Sequence, residues 1–160
     1  MRRSDFERLY NEHAEPLYGF LVYRTGDPTL AEDLLADTFE RALRGRAGFR
    51  SRRGSEKTWL YAIALNCLRD SGRRQGAERR ALERVPPAPE AAEATTSTVD
   101  DRVSVIDALA NLSVEEHEAV ALRFGADLTV PEVAQVTGLP LSTVEGRVYR
   151  ALGKLRGVLG

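Results

Sequence analysis

The chain reads as runs in which apolar residues return every third and fourth position, with polar residues filling the other side of each turn. Phe6, Leu9, Tyr10, Leu17, Phe20 and Leu21 make the first run, and their spacing predicts an amphipathic helix opened by the capping-box pattern Ser4-x-x-Glu7 and kinked or split at Pro16. Asp27-Pro28 pairs an N-cap with proline at the first helical position. A second helix is therefore predicted from there to about Gly45, with Leu30, Leu34, Leu35, Phe39, Ala42 and Leu43 on its apolar face. A third is predicted from about Ser55 to Asp70. Its stretch Trp59-Leu60-Tyr61-Ala62-Ile63-Ala64-Leu65-Asn66-Cys67-Leu68 is apolar on nearly all sides, so the helix should be largely buried.

The pattern then breaks. Residues 85–104 combine three prolines with small residues and acids, too little apolar surface to offset the entropy of ordering, and predict a flexible linker over 85–102. Beyond it Val103, Ile106, Leu109 and Ala110 mark a helix. Three capping-box starts follow, Ser113-x-x-Glu116, Thr129-x-x-Glu132 and Ser142-x-x-Glu145, with Gly125 closing the first helix and Gly138-Leu139-Pro140 turning a tight corner between the other two. No period-two pattern of any length occurs. The expected fold is all-α: two small helical domains, residues 1–84 and 103–160, joined by the linker.

The segment Val130 to Val148 has helix-turn-helix spacing. Ala134 is small at the helix crossing, Gly138 stands where the turn needs positive φ, and Val133, Val136, Leu139, Val144 and Val148 form a shared apolar seam. A bare helical hairpin would share part of this pattern. The last helix puts Val144, Val148, Ala151, Leu152 and Leu155 on its buried side and leaves Arg147, Tyr149, Arg150, Lys154 and Arg156 to solvent. Four cations on an otherwise acidic module suit a helix that enters a DNA groove.

Composition narrows the function. With 160 residues, one cysteine (Cys67) and two scattered histidines (His13, His117), neither a disulfide scaffold nor a zinc ligand set is available, and no metal or cofactor is expected. No apolar run approaches the roughly 18 residues of a membrane span, and Met1-Arg2-Arg3 leads into an acidic amphipathic segment, so a cytoplasmic protein with no membrane insertion of its own is expected. Residues 1–84 hold 17 basic against 13 acidic residues, while residues 105–160 hold 5 against 7. A net charge of -1 argues against nucleic-acid binding on electrostatics alone. Two local features stand out. Asp33, Asp37 and Glu40 fall at i, i+4 and i+7, an acidic stripe that is either a solvated face or a surface for a basic partner. Arg41, Arg44, Arg46, Arg50, Arg52, Arg53 and Lys57 crowd one stretch against the single acid Glu56, followed by Arg69, Arg73 and Arg74, a density that either solubilises or neutralises phosphates. The acidic stripe has no convergent partner for magnesium, so an enzyme is not expected.

Several motifs resemble a known family. Ala108-Leu109-x-x-Leu112, Glu118 through Phe124, Leu128 through Ala134, and Ser142-Thr143-Val144-x-x-Arg147-x-x-Arg150-Ala151-Leu152 look like the carboxy-terminal domain of bacterial extracytoplasmic-function (ECF) sigma factors, group four of the primary sigma factor superfamily. Gly26-Asp27-Pro28-x-x-Ala31-Glu32-Asp33-Leu34-x-x-Asp37-Thr38-Phe39, Arg44-x-x-x-x-Phe49-Arg50 and Trp59-Leu60-Tyr61-x-Ile63-Ala64-x-Asn66 are similar to that family's amino-terminal domain. The resemblance covers about three quarters of the chain and implies a dissociable specificity subunit of RNA polymerase. It implies contact with the clamp coiled coil of core polymerase through Glu32, Asp33, Asp37, Phe39 and Glu40, with a second polymerase contact at the flap. It implies recognition and melting of the promoter minus-ten element by Phe49, Arg50, Arg52, Arg53, Lys57, Asn66, Arg69, Arg73 and Arg74, and of the minus-thirty-five element by Ser142, Thr143, Glu145, Arg147, Tyr149, Arg150 and Lys154. It further implies a monomer, promoter DNA as ligand, and an anti-sigma factor as regulator. Trp59, Ile63 and Cys67 read as core.

The chain departs from the family at four positions. Ala62 and Leu65 stand where Arg is common, Glu145 where Lys or Arg is common, and Gly146 where Ser is common. Glu145 either caps the helix with Ser142 or accepts from cytosine N4. Ala62, Leu65 and Glu145 keep a second function open, a mimic that titrates an anti-sigma factor without recognising promoters; a third, a stand-alone helix-turn-helix regulator, leaves the first 84 residues unexplained.

Overall fold

The computed structural model describes residues 1–82 and 109–159. The predicted linker, 85–102, and the helix start at Val103 and Ile106 lie outside the described residues. The chain falls into two compact units, Met1–Ala92 and Glu93–Gly160, and among the described residues every regular element is helical.

In the first unit, α1 spans Arg3–Thr25. The expected cap at Ser4 is not used. The Asp5 carboxylate reaches back to the backbone N–H of Arg2 at 3.2 Å, so the helix begins earlier, with a negative charge in its first turn. Pro16 does not split it either. Both Pro16 and Glu12, whose carbonyl loses its helical donor, lie on the exposed side, where water can replace the missing bond. α1 ends at Gly26, whose φ of 66° requires the left-handed region, with its N–H donating to the Val22 carbonyl at 2.8 Å. Only Gly26 and Asp27 separate α1 from α2, Pro28–Gly45. The Asp27 carboxylate accepts from the N–H groups of Thr29 and Leu30 at 3.0 and 3.2 Å, and so short a connection makes the two helices antiparallel neighbours.

Two single 3-10 turns, Arg46–Gly48 and Ser51–Arg53, lead to α3, Glu56–Leu82. Ser55 caps it by accepting from the Thr58 N–H at 3.1 Å. The helix runs well past Asp70, where the apolar period ended. Arg, Gln, Ala, Glu and Leu dominate that continuation and favour helix without leaving an apolar stripe to read. Leu9, Leu17, Phe20 and Leu21 of α1 meet Ala31, Leu34, Phe39 and Ala42 of α2 and Leu60, Tyr61, Ala64, Leu65 and Cys67 of α3 in one core. Tyr61 stacks edge-on against Phe20 at 5.6 Å, and burial pushes its phenol pKa up to about 12. Each large side chain buried in this way contributes about 1.5 to 3 kcal/mol.

In the second unit Leu109 and Ala110 are helical, and α4 spans Val114–Val120 with the Ser113–Glu116 capping box formed in both directions, at 2.9 and 3.1 Å. The chain continues through a π turn, Ala121–Gly125. After Asp127, at φ 56°, α5 spans Val130–Thr137 with the Thr129–Glu132 box also formed. Gly138, at φ 74°, closes α5 by donating to the Ala134 carbonyl at 2.9 Å. α6, Leu141–Leu159, follows at once. The third predicted capping box is absent: the Pro140 carbonyl already accepts from Thr143 and Val144 at 3.1 and 3.2 Å, so Ser142 sits inside the first turn. Leu112, Ala119, Leu122, Leu128, Val133, Val136, Val144, Val148 and Ala151 form this unit's core. The helix-turn-helix is therefore α5, the Gly138 corner and α6.

Candidate functional site

Three surfaces carry the residues singled out by the sequence. The first is the outer side of α2. Glu32, Asp33 and Glu40 are exposed and Asp37 is half-buried, while Ala31, Leu34, Thr38 and Ala42 on the opposite side enter the core. Glu40 is already committed to Arg44 in an i,i+4 ion pair at 2.5 Å, so the freest carboxylates are those of Glu32 and Asp33. Phe39 is corrected: it is only 6% exposed and receives the ring edges of Tyr10 and Phe6 at 4.8 and 6.2 Å. It supports the acidic face from beneath and presents no surface to a partner.

The second surface joins the 3-10 turns to the outer face of α3. Phe49, Arg50, Ser51, Arg52 and Arg53 line a shallow open depression, and the Phe49 ring meets Trp59 edge-on at 5.3 Å. Arg50 holds the turn by donating to the carbonyls of Ala47 and Phe49 at 2.8 and 3.0 Å, whereas the side chains of Arg52 and Arg53 are exposed and make no hydrogen bond or ion pair with other described residues. Trp59 and Ile63 are half-buried instead of core, and with exposed Asn66 and Arg73 they recur along one face of α3. That spacing was the signal for Trp59, which the apolar run around it concealed. Lys57 is half-buried, and Arg69 and Arg74 are exposed. Arg73 is ion-paired with Asp70, which also accepts from Arg41 at 3.1 Å; chiefly through Arg41, the Asp70 carboxyl is held below the usual carboxylate range. The basic face is thus partly neutralised from within. Leu65 is fully buried, so at this position, where the family commonly has Arg, the side chain fills the core.

An ion pair that no periodicity announced braces this unit. Arg8 of α1 donates to both carboxylate oxygens of Glu56 at 2.9 and 3.1 Å, tying α1 to the first turn of α3. Burial pushes the nearby His13 imidazole down from its ordinary value.

The third surface is α6. Ser142, Glu145, Tyr149 and Arg150 are exposed, Tyr149 at 73%, while Thr143 and Arg147 are half-buried. With no capping box to make, the Glu145 carboxylate has no hydrogen bond or ion pair with other described residues and is free to meet a ligand. At Gly146 the Arg150 guanidinium lies so close that an added Cβ would come within 3.0 Å of its Nη1. Lys154 is corrected: its Nζ donates to Glu116 at 2.6 Å, so it is not a free cation. Glu116 is 5% exposed, and Lys154 together with the Ser113 N–H pulls its carboxyl pKa down to about 2.

Among the described residues no group of three or more acidic, histidine or cysteine side chains converges as a metal site, and no helix is long and apolar enough to cross a membrane. The surfaces can recognise charged polymers and proteins by contact.

Comparison with known proteins gives the same two units. Residues 9–78 match Sigma-70 region 2, and residues 102–155 match Sigma-70, region 4. The RNA polymerase sigma factor CarQ of Myxococcus xanthus is 32% identical over 97% of this chain and 89% of its own length. The ECF RNA polymerase sigma factor BldN of Streptomyces coelicolor is 32% identical over 96% of this chain, which spans 60% of that relative's length. The sigma factor RpoE, solved in complex with the anti-sigma factor NepR from Bartonella quintana, shares the fold at a TM-score of 0.77 and 24% identity, over 97% of this chain and 96% of that one. With both regions present in order and relatives aligned along nearly its whole length, the chain belongs to the ECF family of RNA polymerase sigma factors, alternative sigma factors that direct transcription initiation.

Proposed function

We propose that this sigma factor binds core RNA polymerase through the outer face of α2 and selects promoters with two separate surfaces, the Phe49–Arg53 depression with the Trp59–Asn66 face of α3 on the minus-ten element, and α6 on the minus-thirty-five element. The observation that carries the reading is the acidic face of α2. Glu32, Asp33 and Asp37 project from a helix held at its start by the Asp27 cap, and a basic coiled coil is the complementary partner. Phe49 and Trp59, ring edge against ring face beside two unpaired arginines, suit an unstacked base and its phosphates. The protein contributes binding and DNA deformation, and the nucleotidyl transfer belongs to the polymerase. The cytoplasm is where these partners are met. Because a protein of the same fold was solved with an anti-sigma factor, a protein regulator of that class is the third partner assigned here.

The test is assembly with core polymerase. Asp33→Lys/Asp37→Lys changes only exposed or half-exposed positions, so stability should move by less than about 1 kcal/mol. Affinity for core polymerase should fall by at least about tenfold, because like charges are placed against the basic partner. Unaltered co-elution, or the absence of a promoter-specific transcript from the wild-type holoenzyme, would overturn the reading.

A further inference from the structure

The carboxylate of Glu116 and the ammonium of Lys154 join α4 to α6 across 38 positions of sequence, and neither belongs to the contacts that the helix-turn-helix pattern supplies. Glu116 is nearly sealed from solvent, and one of its oxygens, Oε1, accepts both from Lys154 Nζ at 2.6 Å and from the Ser113 N–H at 2.9 Å. The acceptor is therefore fixed in place by the α4 cap. On the other side, Lys154 follows Arg147 and Arg150 at i+7 and i+4, so it lies on the same stripe of α6 as the two arginines. The rest of the α6 seat is Val144, Val148 and Ala151, small and smooth side chains whose burial is favourable at many rotations of the helix. A hydrogen bond to a fixed acceptor is directional where that seam is not.

We infer that the Glu116–Lys154 pair is the positioning device of the recognition helix: it sets the rotation of α6 about its own axis, and Lys154 serves promoter selectivity through Glu116 instead of by touching a phosphate. The inference rests on the reading of α6 as the helix that enters the major groove. Base discrimination by Arg147, Arg150 and Glu145 depends on bidentate geometry at base edges, and a turn of α6 by a fraction of one residue's arc carries those groups out of register.

The probe is a library of promoter-length duplexes randomised over the upstream element, presented to core polymerase reconstituted with the full chain. Wild-type holoenzyme should enrich one upstream sequence. Enrichment of none would overturn the functional reading together with the inference that rests on it. The double variant Glu116→Gln/Lys154→Met keeps an amide oxygen for the Ser113 cap and leaves no buried unpaired charge, so it should melt as the wild type does. Its preference for the enriched sequence over a single-base variant should nevertheless drop about tenfold, with the salt dependence of binding unchanged. Lys154→Arg, which keeps the pair, should retain the preference within about twofold. If the double variant discriminates as sharply as the wild type, the pair is only structural and the inference is wrong. If Lys154→Met instead weakens every sequence equally and flattens the log–log salt slope by about 0.9, Lys154 is a phosphate contact and the inference is also wrong.

Discussion

Arg52 and Arg53 illustrate what exposure without a partner means for a charged side chain. Arg50, their neighbour, has its Nη1 held by the carbonyls of its own turn, and the charge of Arg73 is answered by Asp70, so local density of arginine overstates the charge free to move toward a partner. The two free guanidinium groups should carry most of the phosphate contact of this segment. Arg52→Ala/Arg53→Ala should weaken promoter binding by the holoenzyme uniformly across sequences and flatten the log–log salt slope by about 0.7 to 0.9 per residue, with no change in thermal stability. Filter binding across a salt series checks both. Gly146 makes the converse point. What reads in the sequence as a helix-weakening residue is the place where the Arg150 side chain lies against the backbone, a contact that spacing alone does not reveal.

At the scale of elements, Pro16 marks a continuous helix that carries a local fault. The fault sits on the solvated side of α1, so Pro16→Ala should return an N–H to the Glu12 carbonyl without disturbing Leu9, Leu17, Phe20 or Leu21, and should stabilise the first unit by about 1 to 2 kcal/mol in urea titration followed by Trp59 fluorescence. Helices with apolar periods and side-chain caps were legible in the sequence. The Asp27, Ser113 and Thr129 starts and the Gly138 corner all fall where the residues placed them. The starts of α1 and α6 were not, because each is set by a bond the pattern does not encode, the Asp5 reach-back in one and a bare proline carbonyl in the other. The far half of α3 was illegible for a different reason: its residues favour helix without an apolar period in the sequence. The candidate surfaces were legible as charge patterns. That the Lys154 charge was already spent depends on a pair made only after folding, across 38 positions, whereas the pairs at Arg73 and Glu40 are local, at i,i+3 and i,i+4 on one helix.

The whole molecule joins two units whose stability responds to acid in different windows. Burial lowers the His13 pKa, so its contribution to the first unit is complete above about pH 6.5, the ordinary histidine value, and is lost as pH falls through that region. Glu116 has its carboxyl drawn down to about 2, so its contribution to the second unit is complete above the ordinary glutamate value and is lost between about pH 4.5 and pH 2. The single tryptophan, Trp59, lies in the first unit and reports on it alone, while far-ultraviolet circular dichroism reports on both. Melting followed by both signals should show the tryptophan transition weakening first on acidification. Glu116→Gln should flatten only the dichroism change below pH 4.5 and leave the fluorescence midpoint untouched. The Gly26-Asp27 joint has its own bearing on regulation. A hairpin with no slack gives α2 little freedom to swing, so its carboxylates stand at a fixed pitch, and under the proposed reading any two proteins that used this face would have to fit the same comb and take turns on it.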